Sequence, residues 1–250
     1  MNLGEESEYY LKAFLLREKD LCKATTVFRK IWKLSDDKNL DSLKWKTTAE
    51  NALQNFKVEE LIKILKLSKS NARSKADISI NDVSYSVKEV KASPPAIVNH
   101  TPRPGFENVC NRIGVPITQL DEMVTEYWTR RIQGVITEDV SNSNPNSPFR
   151  HAKNYLKPII NYFVFTGSGA GDSRYPAEKV LELDYKSLPS GIHVLEKDEY
   201  FDEVWPNLIF SIRSKGMPSA FSKRNEAASI KKWTRFRDNS HKGSLHIRSG

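Results

Sequence analysis

Residues 74–93 read SKADISINDVSYSVKEVKAS, and the prediction of the fold starts from this stretch. Apolar and polar residues alternate in two short runs, a period of two that is typical of half-buried β-strands joined by a tight turn. Asp77 stands at the start of the first run, and Lys88, Glu89 and Lys91 stand at the end of the second. Carboxylate and ammonium groups are therefore expected at the ends of two adjacent strands.

The alternation of side chains along each strand gives a first way to read the charged face. When the isoleucines and valines of both strands pack into one core, Asp77, Ser86 and Lys88 project together into one cleft. This reading supplies one carboxylate and one lysine.

A second reading takes Glu89 and Lys91 as the functional pair, with Val90 turned inward. It supplies a second carboxylate, but Glu89 and Lys91 are then in phase with the apolar residues of the strand. A β-bulge near Lys88 would be needed to bring them to the other face, and bulges do occur beside active sites. Both readings stay open at this stage.

The chemistry that these residue types favour is metal-assisted hydrolysis of a phosphodiester. Asp77 and Glu89 are the expected metal ligands, because Mg²⁺ prefers hard oxygen donors and bridges to phosphate. The metal would lower the pKa of a bound water and neutralise charge on the phosphorus centre. Lys88 or Lys91 would orient that water and stabilise the developing charge.

Three segments, Ser74–Ile80, Tyr85–Lys88 and Ala92–Asn99, together resemble type II restriction endonucleases of the PD-(D/E)xK superfamily, in particular the strand region of the HpaII-like enzymes. The resemblance covers only residues 74–99. It implies Asp77 as metal ligand and Lys88 as catalytic lysine, with Ser86 where most of the superfamily has an acid. The residues that could then provide the second acid are Glu89 after a bulge, Glu50, Glu59 and Glu60.

The order of predicted elements indicates an α/β (α+β) chain with a central mixed β-sheet flanked by helices, as in a PD-(D/E)xK nuclease core. We expect one nuclease domain over 1–250, with a helical part at 1–70, a catalytic strand region at 74–100 and a basic DNA-binding segment at 211–250. Further helices are predicted at 5–34, 40–56, 58–67 and, interrupted near 114–116, at 106–135. Further strands are predicted at 159–166, 177–184, 192–195 and 208–213.

The positive charge of the chain is concentrated near its C-terminal end. There are 39 Lys and Arg against 31 acids, a net charge of +8, and residues 211–250 alone hold ten Lys and Arg against two acids. Such a local excess favours a polyanionic partner. The residues expected to neutralise DNA phosphates are Lys223, Arg224, Lys231, Lys232, Arg235 and Arg237.

The segment after the strand pair supplies a second candidate DNA contact. Asn99, His100 and Arg103 are residue types that hydrogen-bond base edges and phosphates. Double-stranded DNA is thus the expected partner, and a homodimer is expected because palindromic sites are commonly bound by two-fold dimers.

The remaining composition restricts the cellular setting. Cys22 and Cys110 show no metal-ligand spacing, and neither an apolar signal core nor a run long enough to cross a membrane is present. The expectation is a prokaryotic cytoplasmic, site-specific Mg²⁺-dependent endonuclease with no membrane partner. The alternatives are a non-catalytic DNA- or RNA-binding protein and a structure-specific repair nuclease on the same fold.

Overall fold

The computed structural model describes residues 1–17, 57–64, 74–80, 82–91, 96–187, 192–213, 233 and 243–249. The chain forms two compact units. Unit 1 comprises Met1–Ser93 and Ser173–Lys197, and unit 2 comprises Pro94–Asp172 and Asp198–Gly250.

Helices and strands both occur throughout the described residues. The helices are α1 (Leu3–Arg17), α2 (Val58–Ile64), α3 (Arg103–Ile113), α4 (Thr118–Ile132), α5 (Lys153–Asn161) and α6 (Lys197–Val204). The strands are β1 (Ile78–Ile80), β2 (Val83–Glu89), β3 (Ala96–Thr101), β4 (Asp139–Ser141), β5 (Gly167–Ser168), β6 (Gly171–Asp172), β7 (Lys179–Leu183), β8 (Ile192–Leu195), β9 (Ile209–Arg213) and β10 (Ser244–Arg248). The predicted mixed α+β class is confirmed.

Unit 1 is built on a mixed sheet with strand order β1-β2-β7-β8. The β1–β2 hairpin is antiparallel, as residues 74–93 predict, with Ile78 paired to Tyr85 and Ile80 to Val83. Strand β7 runs parallel to β2, and β8 returns antiparallel to β7. Because a parallel connection needs a long crossover, β2 and β7 are far apart in sequence, and the whole first segment of unit 2 lies between them.

Unit 2 contains an antiparallel sheet with strand order β3-β10-β9-β4. Its core is aromatic: Phe149 and Phe210 are fully buried and stack with ring centroids 4.2 Å apart. The predicted break in the helical stretch 106–135 is confirmed, because Gly114 adopts φ +71°, a left-handed conformation that ends α3 and that glycine adopts at little cost.

The strand predicted at 159–166 is wrong. This segment completes α5 and continues as one turn of π-helix, Tyr162–Thr166. A short continuous apolar run has no periodicity that separates a buried strand from a buried helix, and here the side chains of Tyr162, Phe163, Val164 and Phe165 are all buried. Gly167 then ends the helical segment.

No helix within the described ranges has the length and apolar character that a membrane-spanning segment needs.

Candidate active site at the β1–β2 hairpin

Asp77 lies at the end of the hairpin that is remote from the turn. Its backbone N–H donates to the carbonyl oxygen of Tyr85 at 2.9 Å, although Ile78 is the registered partner of Tyr85. The ladder therefore carries one extra residue at Asp77, an irregularity of the β-bulge kind. The Asp77 carboxylate takes the place of a backbone acceptor, and its Oδ2 accepts from the N–H of Val87 at 2.8 Å.

Lys88 projects from the face of the sheet that also carries Ser86, since residues two apart in a strand share a face. Ser86 is buried, and Lys88 is half-buried. On the parallel neighbour β7, Glu182 is the registered partner of Lys88, so its side chain leaves the same face one strand away. Glu182 is half-buried as well. A lysine and a carboxylate are thereby adjacent across β2 and β7.

Lys75 joins this cluster from the segment that enters β1. Burial is the largest effect on its ammonium group and lowers its pKa, the charge of Lys88 lowers the pKa further, and Asp77 raises it, with a result of about 8. Lys75 is thus within electrostatic range of both Asp77 and Lys88 at the open end of the hairpin.

Glu89 and Lys91 are directed elsewhere. Glu89 leaves the opposite face of β2 from Lys88, is buried, and accepts from the backbone N–H of Lys91 at 3.1 Å and of Tyr185 at 3.4 Å. Lys91 is exposed and forms an ion pair with Asp184 at 2.5 Å. The geometry thus gives Glu89 the contacts of a strand-ending cap.

The register of β2 shows whether the strand contains the bulge that the reading with Glu89 and Lys91 requires. Pairing with β7 is continuous from Tyr85 to Glu89, with no shift at Lys88. The reading that uses Glu89 and Lys91 requires a bulge near Lys88, whereas the irregularity of the hairpin lies at Asp77. Asp77, Ser86 and Lys88 are the sequence-predicted residues that this arrangement brings to one region.

The other acids considered for the site have other contacts or fall outside the described residues. Glu59 and Glu60 are exposed in the first turn of α2, where Glu60 accepts from the N–H of Lys57 at 3.1 Å and so caps the helix. Glu50 lies outside the described residues.

The donor chemistry of Asp77 and Glu182 fits Mg²⁺. Mg²⁺ keeps several waters and is commonly bound through one or two carboxylates together with substrate phosphates. Within the described ranges, no group of three or more His, Cys, Asp and Glu side chains is gathered at one point. Asp77 and Glu182 offer carboxylate oxygens of the kind that Mg²⁺ takes as ligands.

The expectation of an irregular loop at residues 99–105 is wrong, because Asn99 and His100 lie at the end of β3 in unit 2 and a helix begins at Arg103. Asn99 is exposed. His100 is half-buried, adopts φ +40°, and stacks on His246 of the adjacent strand β10 with ring centroids 4.7 Å apart. Asn99 is thus accessible to a ligand, while one face of the His100 ring is covered by a second histidine.

Arg103 lies at the start of α3, where its side chain is enclosed by acids. Its Nε and one terminal nitrogen donate to the two carboxylate oxygens of Asp121, each at 2.8 Å, and the other terminal nitrogen is 3.1 Å from Glu107. The hydrogen bond to Asp121 is the main reason that the pKa of Arg103 is raised. Such a bidentate pair holds α3 to α4.

We expect Arg103→Met to lower the free energy of unfolding by about 1.5–3 kcal/mol, because it removes charge-assisted hydrogen bonds from the half-buried Asp121. The free energy of unfolding of Arg103→Lys should lie between those of the wild type and Arg103→Met, since lysine keeps the charge and loses the fork geometry. Urea titration measures the stability and fluorescence anisotropy measures DNA affinity. A variant that keeps its stability and loses DNA affinity would assign Arg103 to DNA instead.

The predicted phosphate contacts Lys223, Arg224, Lys231, Lys232, Arg235 and Arg237 lie outside the described residues. The strands that flank them are described: Arg213 at the end of β9 is the registered partner of Ser244 at the start of β10. The described strands on either side of the basic stretch therefore meet at one end of one sheet.

Lys75 and Glu182 are the two residues of the cluster that sequence reasoning missed. Lys75 carries a local signal, because it stands two residues before Asp77 in the segment already singled out. Glu182 carries none, because its position beside Lys88 depends on a parallel pairing between strands separated by a long insertion.

Comparison of the chain with protein-family models, with curated proteins and with solved structures finds no match.

Proposed function

We propose that this chain is a Mg²⁺-dependent endonuclease that hydrolyses phosphodiester bonds of double-stranded DNA, with a site-specific type II restriction enzyme as the particular form. The observation that supports the proposal best is the gathering of Asp77, Lys75 and Lys88 at one end of the hairpin, with Glu182 beside Lys88. Carboxylates next to lysines are the groups that metal-assisted phosphodiester hydrolysis uses.

In this proposal Asp77 and Glu182 would hold the ion, and Lys88 would donate a hydrogen bond to a water or to a phosphate oxygen. When bound, Mg²⁺ supplies a water of lowered pKa and a positive charge beside the phosphate. Lys88 adds a fixed charge where negative charge develops, which is effective because the half-buried sheet face limits screening by water. The Val87 N–H fixes the orientation of the Asp77 carboxylate.

Binding of the duplex is assigned to unit 2. The charge of residues 211–250 would neutralise phosphates and release counterions, so affinity should fall steeply with salt. Asn99 is the accessible candidate for contact with bases. A two-fold homodimer acting on a palindromic site completes the proposal.

The decisive experiment is incubation of the purified chain with plasmid DNA in Mg²⁺ or in EDTA, resolved on a gel. We expect discrete fragments that require Mg²⁺. Lys88→Ala should slow cleavage by about 10²–10³-fold, the scale for removal of one preorganised electrostatic group. Lys91→Ala is the matched control, because it removes an exposed ion pair with Asp184 and should leave the rate nearly unchanged.

Glu182 and Glu89 can be compared in the same way as Lys88 and Lys91. Glu182→Gln should slow cleavage strongly. Its counterpart Glu89→Gln is expected to act through stability, because Glu89 caps backbone N–H groups. A rate that depends on Lys91 and Glu89 and not on Lys88 and Glu182 would reverse the assignment. Cleavage directed by DNA structure and not by a short sequence would indicate a repair nuclease.

A non-catalytic DNA-binding protein is the second candidate, and one observation favours it. Asp77 already satisfies the Val87 N–H, so its carboxylate has a structural use that requires no metal. This candidate predicts a gel shift of intact DNA in both Mg²⁺ and EDTA, and binding that survives Asp77→Asn.

A further inference from the structure

Lys75 is held in place by its backbone. Its N–H donates to Ser173 Oγ at 3.1 Å and to the carbonyl oxygen of Tyr175 at 2.9 Å, and the next residue, Ala76, donates to the same carbonyl at 3.0 Å. Ser74 Oγ donates to the carbonyl of Ala76 at 2.6 Å. The segment 74–76 is thus fixed against 173–175, and the Lys75 side chain starts from a defined position next to Asp77.

Lys75 and Lys88 lie near Asp77 and Glu182 but form no ion pair with them. Neither forms an ion pair or a side-chain hydrogen bond with a described residue, although both are half-buried. Other lysines of the unit do form pairs, namely Lys12 with Glu8, Lys91 with Asp184 and Lys179 with Glu196. Keeping two neighbouring ammonium groups half-buried and unpaired is unfavourable, and an anion that binds both would relieve it.

The anion that fits this place is a phosphate group. Lysine binds phosphate as a point charge with three rotatable donors and needs no fixed fork geometry.

We propose that Lys75 is a substrate-binding residue that, together with Lys88, holds a phosphodiester oxygen of the DNA strand at the hairpin. This inference rests on the proposed function, because it takes DNA as the ligand. Lys75 binds and positions the phosphate, while Lys88 serves the reacting group.

The first test is amine-specific labelling of lysines, quantified by mass spectrometry, in EDTA so that no cleavage occurs. Duplex DNA should slow the labelling of Lys75 several-fold. Lys63, exposed on α2, is the internal reference and should react at the same rate with and without DNA. Unchanged labelling of Lys75 would overturn the proposal. Equal protection by inorganic phosphate at the same phosphate concentration would assign the site to a small phosphate ligand and overturn DNA as the ligand.

The second test compares Lys75→Met, Lys75→Arg and the charge-matched control Lys63→Met by DNA-binding anisotropy over a range of salt concentrations. Loss of one phosphate contact should reduce the slope of log affinity against log salt by about 1 in Lys75→Met. Lys75→Arg and Lys63→Met should keep the wild-type slope. A wild-type slope in Lys75→Met would overturn the proposal.

Thermal unfolding separates ligand binding from a structural role. Lys75→Met removes a like charge beside Lys88, so its melting temperature should equal or exceed that of the wild type. A lower melting temperature together with weaker binding would overturn the proposal in favour of a structural lysine. Both tests run without cleavage. If the wild type binds DNA but never cuts it, only the proposed hydrolysis is contradicted. If the wild type cuts DNA and Lys75→Met keeps the wild-type salt slope, only the assignment of Lys75 is contradicted.

Discussion

Asp77→Asn should reduce Mg²⁺-dependent cleavage by about 10²–10³-fold or more while leaving the hairpin intact. The asparagine amide oxygen can still accept from the Val87 N–H, which the aspartate accepts at 2.8 Å. The substitution removes only the negative charge, and a neutral amide is a weaker ligand for Mg²⁺ and gives no fixed charge to the site. The measurement is the single-turnover rate on a plasmid containing the mapped site.

Asp77→Ala is the informative companion to this variant. It removes the acceptor as well as the charge and leaves the Val87 N–H without its bond, so we expect a loss of about 1–3 kcal/mol in the free energy of unfolding. Equal stability of the wild type and Asp77→Asn, combined with an inactive Asp77→Asn, would assign the carboxylate to chemistry. Full cleavage by Asp77→Asn would show that Asp77 only ends the hairpin ladder.

Phe210→Ala should destabilise unit 2 by about 3–5 kcal/mol, the range for truncating a buried phenylalanine. Phe210 is fully buried in β9, opposite Val140 of β4 and Ile247 of β10, and its ring stacks on Phe149. The substitution removes the stacking contact and leaves a cavity that the paired strands cannot close. Guanidinium titration followed by far-ultraviolet circular dichroism measures the effect.

Val135→Ala is a control in the same unit, because Val135 is 44% exposed and its truncation should change stability by no more than about 0.5 kcal/mol. Since β9 and β10 flank the basic stretch, Phe210→Ala should also weaken DNA binding near its unfolding midpoint. A loss below about 1 kcal/mol would mean that the Phe149–Phe210 stack does not support the sheet.

Local patterns predict the β1–β2 hairpin and strand β8 of unit 1 and the end of α3 in unit 2. The period-two alternation of residues 74–93 predicts the β1–β2 hairpin, because one face of a strand is buried and the other is not. Gly114 and the following proline-containing stretch mark the end of α3, because they act on the backbone at that point. Strand β8 has the predicted bounds, Ile192–Leu195.

Features that depend on packing between distant segments could not be predicted from the sequence. The apolar run 159–166 has the same composition as a buried strand, and only its packing as the end of α5 and a π-helical turn decides between the two. Arg103 has the residue type of a DNA contact, yet Asp121, eighteen positions later, engages its guanidinium. The residues next to these two segments carry no pattern that indicates either the helical turn at 159–166 or the pairing of Arg103 with Asp121.

The same division applies to the candidate site. Alternation and a short turn act over a few residues, and from them the sequence predicts Asp77, Ser86 and Lys88 in one cleft at the hairpin. The tertiary structure placed Glu182 beside Lys88, brought the N–H of Tyr185 to the Glu89 carboxylate, and put the ladder irregularity at Asp77. Each of these depends on strand pairing across the fold, and the free energy that selects a pairing comes from the burial of both strands and not from either alone.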